Sequence, residues 1–331
     1  MRNGAFLKIP GLLVALVLGL SCSGKQSENP STPAEQTKAS TQVILQVLGT
    51  AQDAGSPQMN CQKDCCKPLW GHPELHTPVV SLGITDHLLK KQYLFEATPD
   101  IRQQWQDLSE ELEPALSQPS GVFLTHAHMG HYIGLVHLGR EAMGAKEVPV
   151  YGLPRMTSFI ESQGPWNQLV HLNNIQLHTL AADSTQHLSN RLAVVPVKVP
   201  HRDEYSETAA YLIEGPSKTA LFVPDIDKWK LWERDLNTVL TQVDYAFIDA
   251  TFFDTDELPG RNMDEIPHPF VLETLAKVES LPLEERIKIY LIHFNHTNPL
   301  LHADRPENED RVRQVERAGL NIARVGQRFS L

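Results

Sequence analysis

Gly121 to Thr125 reads as a short apolar strand that runs straight into His126-Ala127-His128-Met129-Gly130-His131. No other junction constrains the 331-residue chain as tightly. Alternate side chains of an extended segment share a face, so His126 and His128 can reach one ion. His131 falls about a turn further on, where a helix is expected to begin, within reach of a neighbouring ion. Three more strand-like runs end the same way. Val195 to Val199 leads into Pro200-His201, Ala220 to Val223 into Pro224-Asp225, and Tyr290 to Ile292 into His293-Phe294-Asn295-His296. A lone histidine at such a place is usually a satisfied structural residue. Four such ends in one chain are better explained by convergence on one site, because a sheet holds its strand ends rigidly. A hydrolytic metal site needs about three protein ligands per ion and an open position for water. Asp225 is the natural carboxylate to share between two ions. His87, His171, His178 and His187 sit in turns or mixed strands and read as surface or structural residues.

Around these junctions the pattern is α/β. Further strands are expected over 43–49, 78–84, 92–96, 209–214 and 245–249, with helices over 100–112, 131–143, 154–162, 269–278 and 305–318. Strand pairs mixed with helices suggest two sheets covered on their outer faces. With no repeat and no internal linker after Thr41, residues 42–331 are expected to form one domain. Acidic residues outnumber basic ones 40 to 29, for a formal charge of -11, so the basic footprint of a nucleic-acid binder is missing.

The N-terminus is a different kind of sequence. Arg2 and Lys8 precede an apolar run, Leu12 to Leu20, too short to span a bilayer but suited to a secretory signal ending near Ser21-Cys22. A small residue before Cys22 resembles a lipoprotein cleavage motif, with Gly19 where leucine is usual. Residues 1–22 are therefore read as a signal with a lipidated Cys22, an ordinary cleaved signal or an uncleaved anchor being the alternatives, and the Ser-, Thr-, Pro- and Gln-rich 23–41 as a flexible tether. The expected location is outside the cytoplasm, with a lipid anchor in the membrane. Export changes how Cys61, Cys65 and Cys66 are read. Spacing alone leaves open a zinc site completed by a distant histidine or a Cys61 disulfide with a spare thiol.

The histidine cluster, with His201, Asp225 and His293 following in order, resembles the metallo-β-lactamase superfamily. That resemblance implies an αββα sandwich, and it covers most of the chain from Val43 onward. The signature His-x-His-x-Asp-His is departed from at Gly130, where a carboxylate ligand is expected. Within the superfamily the chain resembles the pyrroloquinoline quinone biosynthesis protein B family over Pro57 to Cys66, 97–100, 199–208, 223–229, 247–253 and 295–299. Those biosynthetic proteins generally lack the full histidine set kept here. A related branch, the phosphodiesterases of carbon–phosphorus lyase pathways, carries an N-terminal cysteine cluster that holds structural zinc. Carried over by position, His293 belongs to the catalytic metals, and His296 joins Cys61, Cys65 and Cys66, with the choice between Cys65 and Cys66 open.

The resemblance implies a metal-dependent hydrolase of an ester or phosphodiester with a small-molecule substrate. His126, His128 and His201 would hold a first ion; Asp225, His131 and His293 a second; His131 and Asp225 stand closest to the reaction. Zinc is expected, with iron or manganese able to serve at the catalytic centre. Oxidative chemistry at iron, or a lipid-anchored binding protein with a vestigial site, are the rival readings, and the sequence does not fix the oligomeric state. Gly130 leaves the second ion short of a carboxylate and weakly held, unless a neighbouring group or a water fills the gap. The segment 254–269, with Arg261 and His268, is either a lid or a plain surface insertion.

Overall fold

A computed structural model describes residues 42–260, 262 and 265–331; the signal expected over 1–22 and the tether over 23–41 lie outside these residues, as does Arg261. Two seven-stranded sheets face each other. The first is built from β1 (Val43–Gly49), β2 (Ser81–Asp86), β3 (Lys91–Phe95), β4 (Gly121–Phe123), β5 (Val148–Gly152), β6 (Ile175–Thr179) and β14 (Arg328–Ser330), in the order β14-β1-β2-β3-β4-β5-β6. The second contains β7 (Gln186–His187), β8 (Ala193–Val199), β9 (Thr208–Glu214), β10 (Thr219–Val223), β11 (Tyr245–Asp249), β12 (Ile289–Ile292) and β13 (Asn321–Ile322), in the order β13-β12-β11-β10-β9-β8-β7. This is the expected αββα sandwich.

The strands read as nearly unbroken apolar runs because both faces are covered. Val122 of β4 packs outward under helices while Phe123 packs between the sheets, and Leu221 and Phe222 of β10 divide the same way. Between the sheets, Phe123 stacks on Phe95 at 4.7 Å and on Tyr151 at 4.4 Å, with Tyr211 edge-on to Phe123. Such aromatic pairs contribute about 0.5–1.5 kcal/mol each beyond their buried area. The outer face of the first sheet is covered by α1 (Ile101–Ser109), whose Ile101, Trp105 and Leu108 are buried as its spacing predicts.

Strand direction decides where the site lies. β1 and β3 each pair antiparallel with β2, and β4 runs parallel to β3. In the second sheet β8 and β10 each pair antiparallel with β9, while β11 and β12 run parallel to β10. Strands β1, β3, β4, β8, β10, β11 and β12 therefore send their C-terminal ends to common edges of the two sheets, where ligands gather in such folds.

The expected helix over 131–143 is not formed. A single α turn, α2 (Met129–Tyr132), gives way to a tighter 3-10 segment, Ile133–Leu138. Tertiary bonds take over the backbone groups there: Gly134 N–H donates to Ala97 O at 2.9 Å, and Ala97 N–H to His131 O at 2.9 Å. Strands β5 and β6 carry no clear pattern in sequence, since Pro149 interrupts one and Gln176 and His178 the other.

Candidate metal centre

Each cluster histidine leaves its strand end with one ring nitrogen tied down and the other turned inward. Thr125 Oγ1 donates to Glu96 Oε1 at 2.6 Å, so at 2.9 Å from His126 Nδ1 it can only accept that ring's proton. Glu96 Oε1 also accepts from His131 Nδ1 at 3.0 Å, and Asp227 Oδ1 from His201 Nδ1 at 3.0 Å. Thr251 Oγ1 donates to Asp249 Oδ1 at 2.6 Å and hence accepts from His293 Nδ1 at 2.9 Å. In these four rings Nδ1 is engaged outward, so Nε2 is the nitrogen left to take a metal. His128 is held from the other end, with Nε2 2.9 Å from Glu204 Oε2, which leaves Nδ1 inward.

The inward atoms meet. His128 Nδ1 is 2.8 Å from His126 Nε2 and 3.2 Å from His201 Nε2. Asp225 Oδ2 lies 3.1 Å from His201 Nε2, 3.4 Å from His126 Nε2 and 3.9 Å from His131 Nε2. Buried Nε2 atoms of His131 and His293 and Oδ1 of Asp225 make no hydrogen bond. Buried polar atoms without partners cost free energy unless something else satisfies them. Outward nitrogens held by carboxylates and hydroxyls, with inward ones free, are the arrangement metal-binding histidines show. The residues fit divalent ions. Donor atoms within 4.8 Å of one another form the groups His126, His128, His201, Asp225; Asp53, His131, His293; and Asp225, Asp249, His268, His293. All six residues expected from the sequence to hold the two ions are thus brought together.

Charge is distributed unevenly in this pocket. Burial opposes ionisation of Asp225, but His201 and His268 beside it outweigh burial and hold its carboxyl well below the usual range. Burial and the neighbouring His131 push His126 well below an ordinary imidazole. For His201 burial is overcome by Asp225 and Asp227, which lift it to about 9. His131 is likewise raised, against burial, by Glu96 and Asp53. Metal uptake at His131 and His201 therefore releases protons.

Four residues at this centre were not expected from the sequence as site residues. Glu96 is fully buried beyond β3 and adopts a φ of 82°, an unusual conformation for a side-chain-bearing residue. Asp249 ends β11 in the way Asp225 follows β10, a signal available in the sequence. His268 is not a surface residue: it is 7% exposed, with Nδ1 2.9 Å from Asp249 Oδ2 and 3.2 Å from Asp225 Oδ1. Burial resists its charge, yet Asp249 and Asp225 raise it to about 10. Asp53, in the loop after β1, stands against Gly130, with Oδ1 3.2 Å from both His131 Nε2 and the Gly130 amide. The carboxylate of Asp53 thus occupies the space beside Gly130.

A separate cluster joins Cys61, Cys65, Cys66 and His296, whose ligand atoms all lie within 4.8 Å of one another. The three thiols are free, with Sγ separations of 3.9 Å from Cys61 to Cys65 and 3.8 Å from Cys65 to Cys66. Both Cys65 and Cys66 thus join the set, and four donors match a closed tetrahedral site. His296 Nδ1 is 3.0 Å from Asn295 Oδ1, leaving Nε2 for the thiols.

The Beta-lactamase superfamily domain matches residues 91–294. Coenzyme PQQ synthesis protein B of Methylorubrum populi is 27% identical over 311 residues, covering 86% of this chain and 99% of its own. Zn2+-bound PqqB from Methylobacterium extorquens superposes with a TM-score of 0.72 at 21% identity, over 87% of this chain and 100% of that one. A diphosphatase of the PhnP family gives a TM-score of 0.60 at 20% identity, over 88% and 98%.

Proposed function

The chain belongs to the beta-lactamase superfamily, and on that premise we propose that it is a metal-dependent hydrolase of an ester or phosphodiester in a small-molecule substrate. One observation carries the reading: five histidines each have one nitrogen fixed by a hydroxyl or carboxylate and the other turned to a shared interior. His126, His128 and His201 would hold one ion and His131 and His293 another, with Asp225 between them. A bound divalent ion supplies a Lewis acid and water acidic enough to ionise near neutral pH. The protein does the rest. Glu96, Thr125, Asp227 and Thr251 fix the tautomers, so no ring must reorganise during turnover. Asp225, kept ionised, offers an acceptor that orients the attacking water. His268, kept charged by Asp249 and Asp225, donates its Nδ1 proton to Asp249 Oδ2, so the Nε2 proton is the one that would pass to a leaving oxygen. Zinc in the cysteine cluster would be structural.

The test is a panel of aryl phosphodiesters and carboxylic esters, run on the full chain loaded with zinc, manganese or iron(II), with and without chelator. Turnover that chelation abolishes and metal restores is expected. A second reading has its own support, the 27% identity to coenzyme PQQ synthesis protein B across 86% of the chain. Under it, iron at the same histidines serves a step in synthesis of a quinone cofactor. Oxygen consumption by the iron-loaded chain, with no hydrolysis on the panel, would replace the hydrolase proposal by this one. Export and lipid anchoring through Cys22 belong to the same proposal. Among the described residues no helix is long and apolar enough to cross a membrane; the acyl chain proposed at Cys22 rests on the small residue before that cysteine and the apolar run ahead of it. Membrane association that Cys22→Ala leaves unchanged would refute it.

A further inference from the structure

Gly130 stands where the histidine signature calls for aspartate, and the space beside it is already taken. A Cβ built on Gly130 would lie 2.3 Å from Asp53 Oδ1, 2.5 Å from Asp53 Cα and 3.1 Å from Asp53 Cβ. The first two distances are far inside van der Waals contact, and the second is to a backbone atom that cannot rotate away. The loop after β1 therefore requires glycine at position 130, and it delivers a carboxylate as it passes.

Asp53 is oriented as a ligand would be. Gln52 Nε2 donates to Oδ2 at 2.8 Å, which leaves Oδ1 facing His131 Nε2 at 3.2 Å. Asp53, His131 and His293 form a compact donor group. The backbone fixes the loop beside His293. Phe294 N–H donates to Thr50 O at 2.8 Å, and Gln52 N–H donates to Phe294 O at 2.8 Å. Asp53 and His293 thus emerge from one paired stretch of backbone. No hydrogen bond reaches His131 Nε2 or His293 Nε2, so the carboxylate approaches nitrogens that still lack a partner.

We propose that Asp53 is the carboxylate ligand of the second catalytic ion, replacing from a distant loop the residue that the histidine motif lacks. This rests on the two-ion centre described above. It assigns the second position Asp53, His131, His293 and the shared Asp225.

The test counts ions and measures affinity independently of turnover. The full chain and its Asp53→Asn and Gly130→Ala variants are stripped of metal, titrated with Co2+, and followed by elemental analysis and visible absorption. Asn keeps an acceptor for the Gly130 amide, so Asp53→Asn is expected to fold. It should hold the first catalytic ion as the parent does and bind the second at least about 10–100-fold more weakly, the loss that even an indirect metal partner causes. Gly130→Ala should give the same selective loss, since the new methyl group displaces Asp53. A second ion bound by Asp53→Asn as tightly as by the parent overturns the proposal, and so does a parent that takes only one ion at this centre. A parent that takes two ions and hydrolyses nothing would sink the hydrolase reading and leave the role of Asp53 intact.

Discussion

Replacing Cys61 by serine tests the cysteine cluster with little disturbance elsewhere, because Cys61 is only partly buried while Cys66 is 0% exposed. The cluster ties residues 61–66 to His296, about 230 positions away in sequence. If the ion is treated as a cross-link closing that loop, the chain-entropy relation gives about 5 kcal/mol. That is an upper figure, since Arg305 also holds the loop, with Nη1 3.0 Å from Asp64 O and Nη2 3.1 Å from Cys65 O. For a folded unit of this size, about 5 kcal/mol corresponds to a fall in Tm of roughly 8 °C. Burial first, then neighbouring Cys61, pushes the Cys66 thiol up to about 12, so at neutral pH it becomes a thiolate only when a cation compensates. Melting followed by circular dichroism, with metal counted on the same samples, should show Cys61→Ser losing about one zinc per chain and several degrees of Tm. Chelator should do the same to the parent, and reductant should not. A variant that keeps both its zinc and its Tm would refute the cross-link, and destabilisation by reductant alone would point to a disulfide instead.

Other outcomes follow from the catalytic centre and its surroundings. His128→Ala should abolish activity while lowering Tm only by what the lost metal contributed; parent-rate turnover on the substrate panel would rule out the metal-hydrolase assignment. Glu96→Gln weakens the acceptor shared by Thr125 and His131; metal titration should show affinity down about 10–100-fold, and an unchanged titration would mean that Glu96 only braces the backbone. Glu257 accepts from Phe253 N–H and from Thr297 Oγ1, and burial raises it to about 7. Its folded value lies above the unfolded one, so the stability it contributes is complete below about pH 4.5 and is lost as pH rises through 7. Glu257→Gln should therefore stabilise the protein more at pH 8 than at pH 5 in denaturant titrations, and equal effects at the two pH values would show that burial does not govern this carboxyl.

The strand ends were legible because an apolar run meeting a histidine or aspartate is a local pattern. His126, His128, His131, His201, Asp225 and His293 all sit where that pattern places them. What escaped is not local. Glu96 reaches the site only because its backbone takes a φ of 82°, and a bare sequence gives no sign of that conformation. His268 lies in a turn-rich stretch that looks like surface, yet two buried carboxylates draw it inward. Asp53 depends on how closely one loop passes another, and Gly130 is the only trace of that approach in the sequence. The helix expected over 131–143 failed for a similar reason, since Ala97 engages backbone groups the helix would have used.

Because the strand ends of both sheets supply the centre, its timing is constrained as well as its shape. Asp53 and His293 are about 240 positions apart, and neither half of the chain contains a complete ligand set. Contacts of such long range form late, after loop closure has been overcome and the two sheets have met. The complete ligand set of the catalytic centre therefore does not exist until the fold has formed, although short runs such as His126 to His131 can hold a metal weakly before that. Binding at the complete set favours the assembled protein by mass action. Metal supply would therefore shift how much of the chain stands folded at equilibrium.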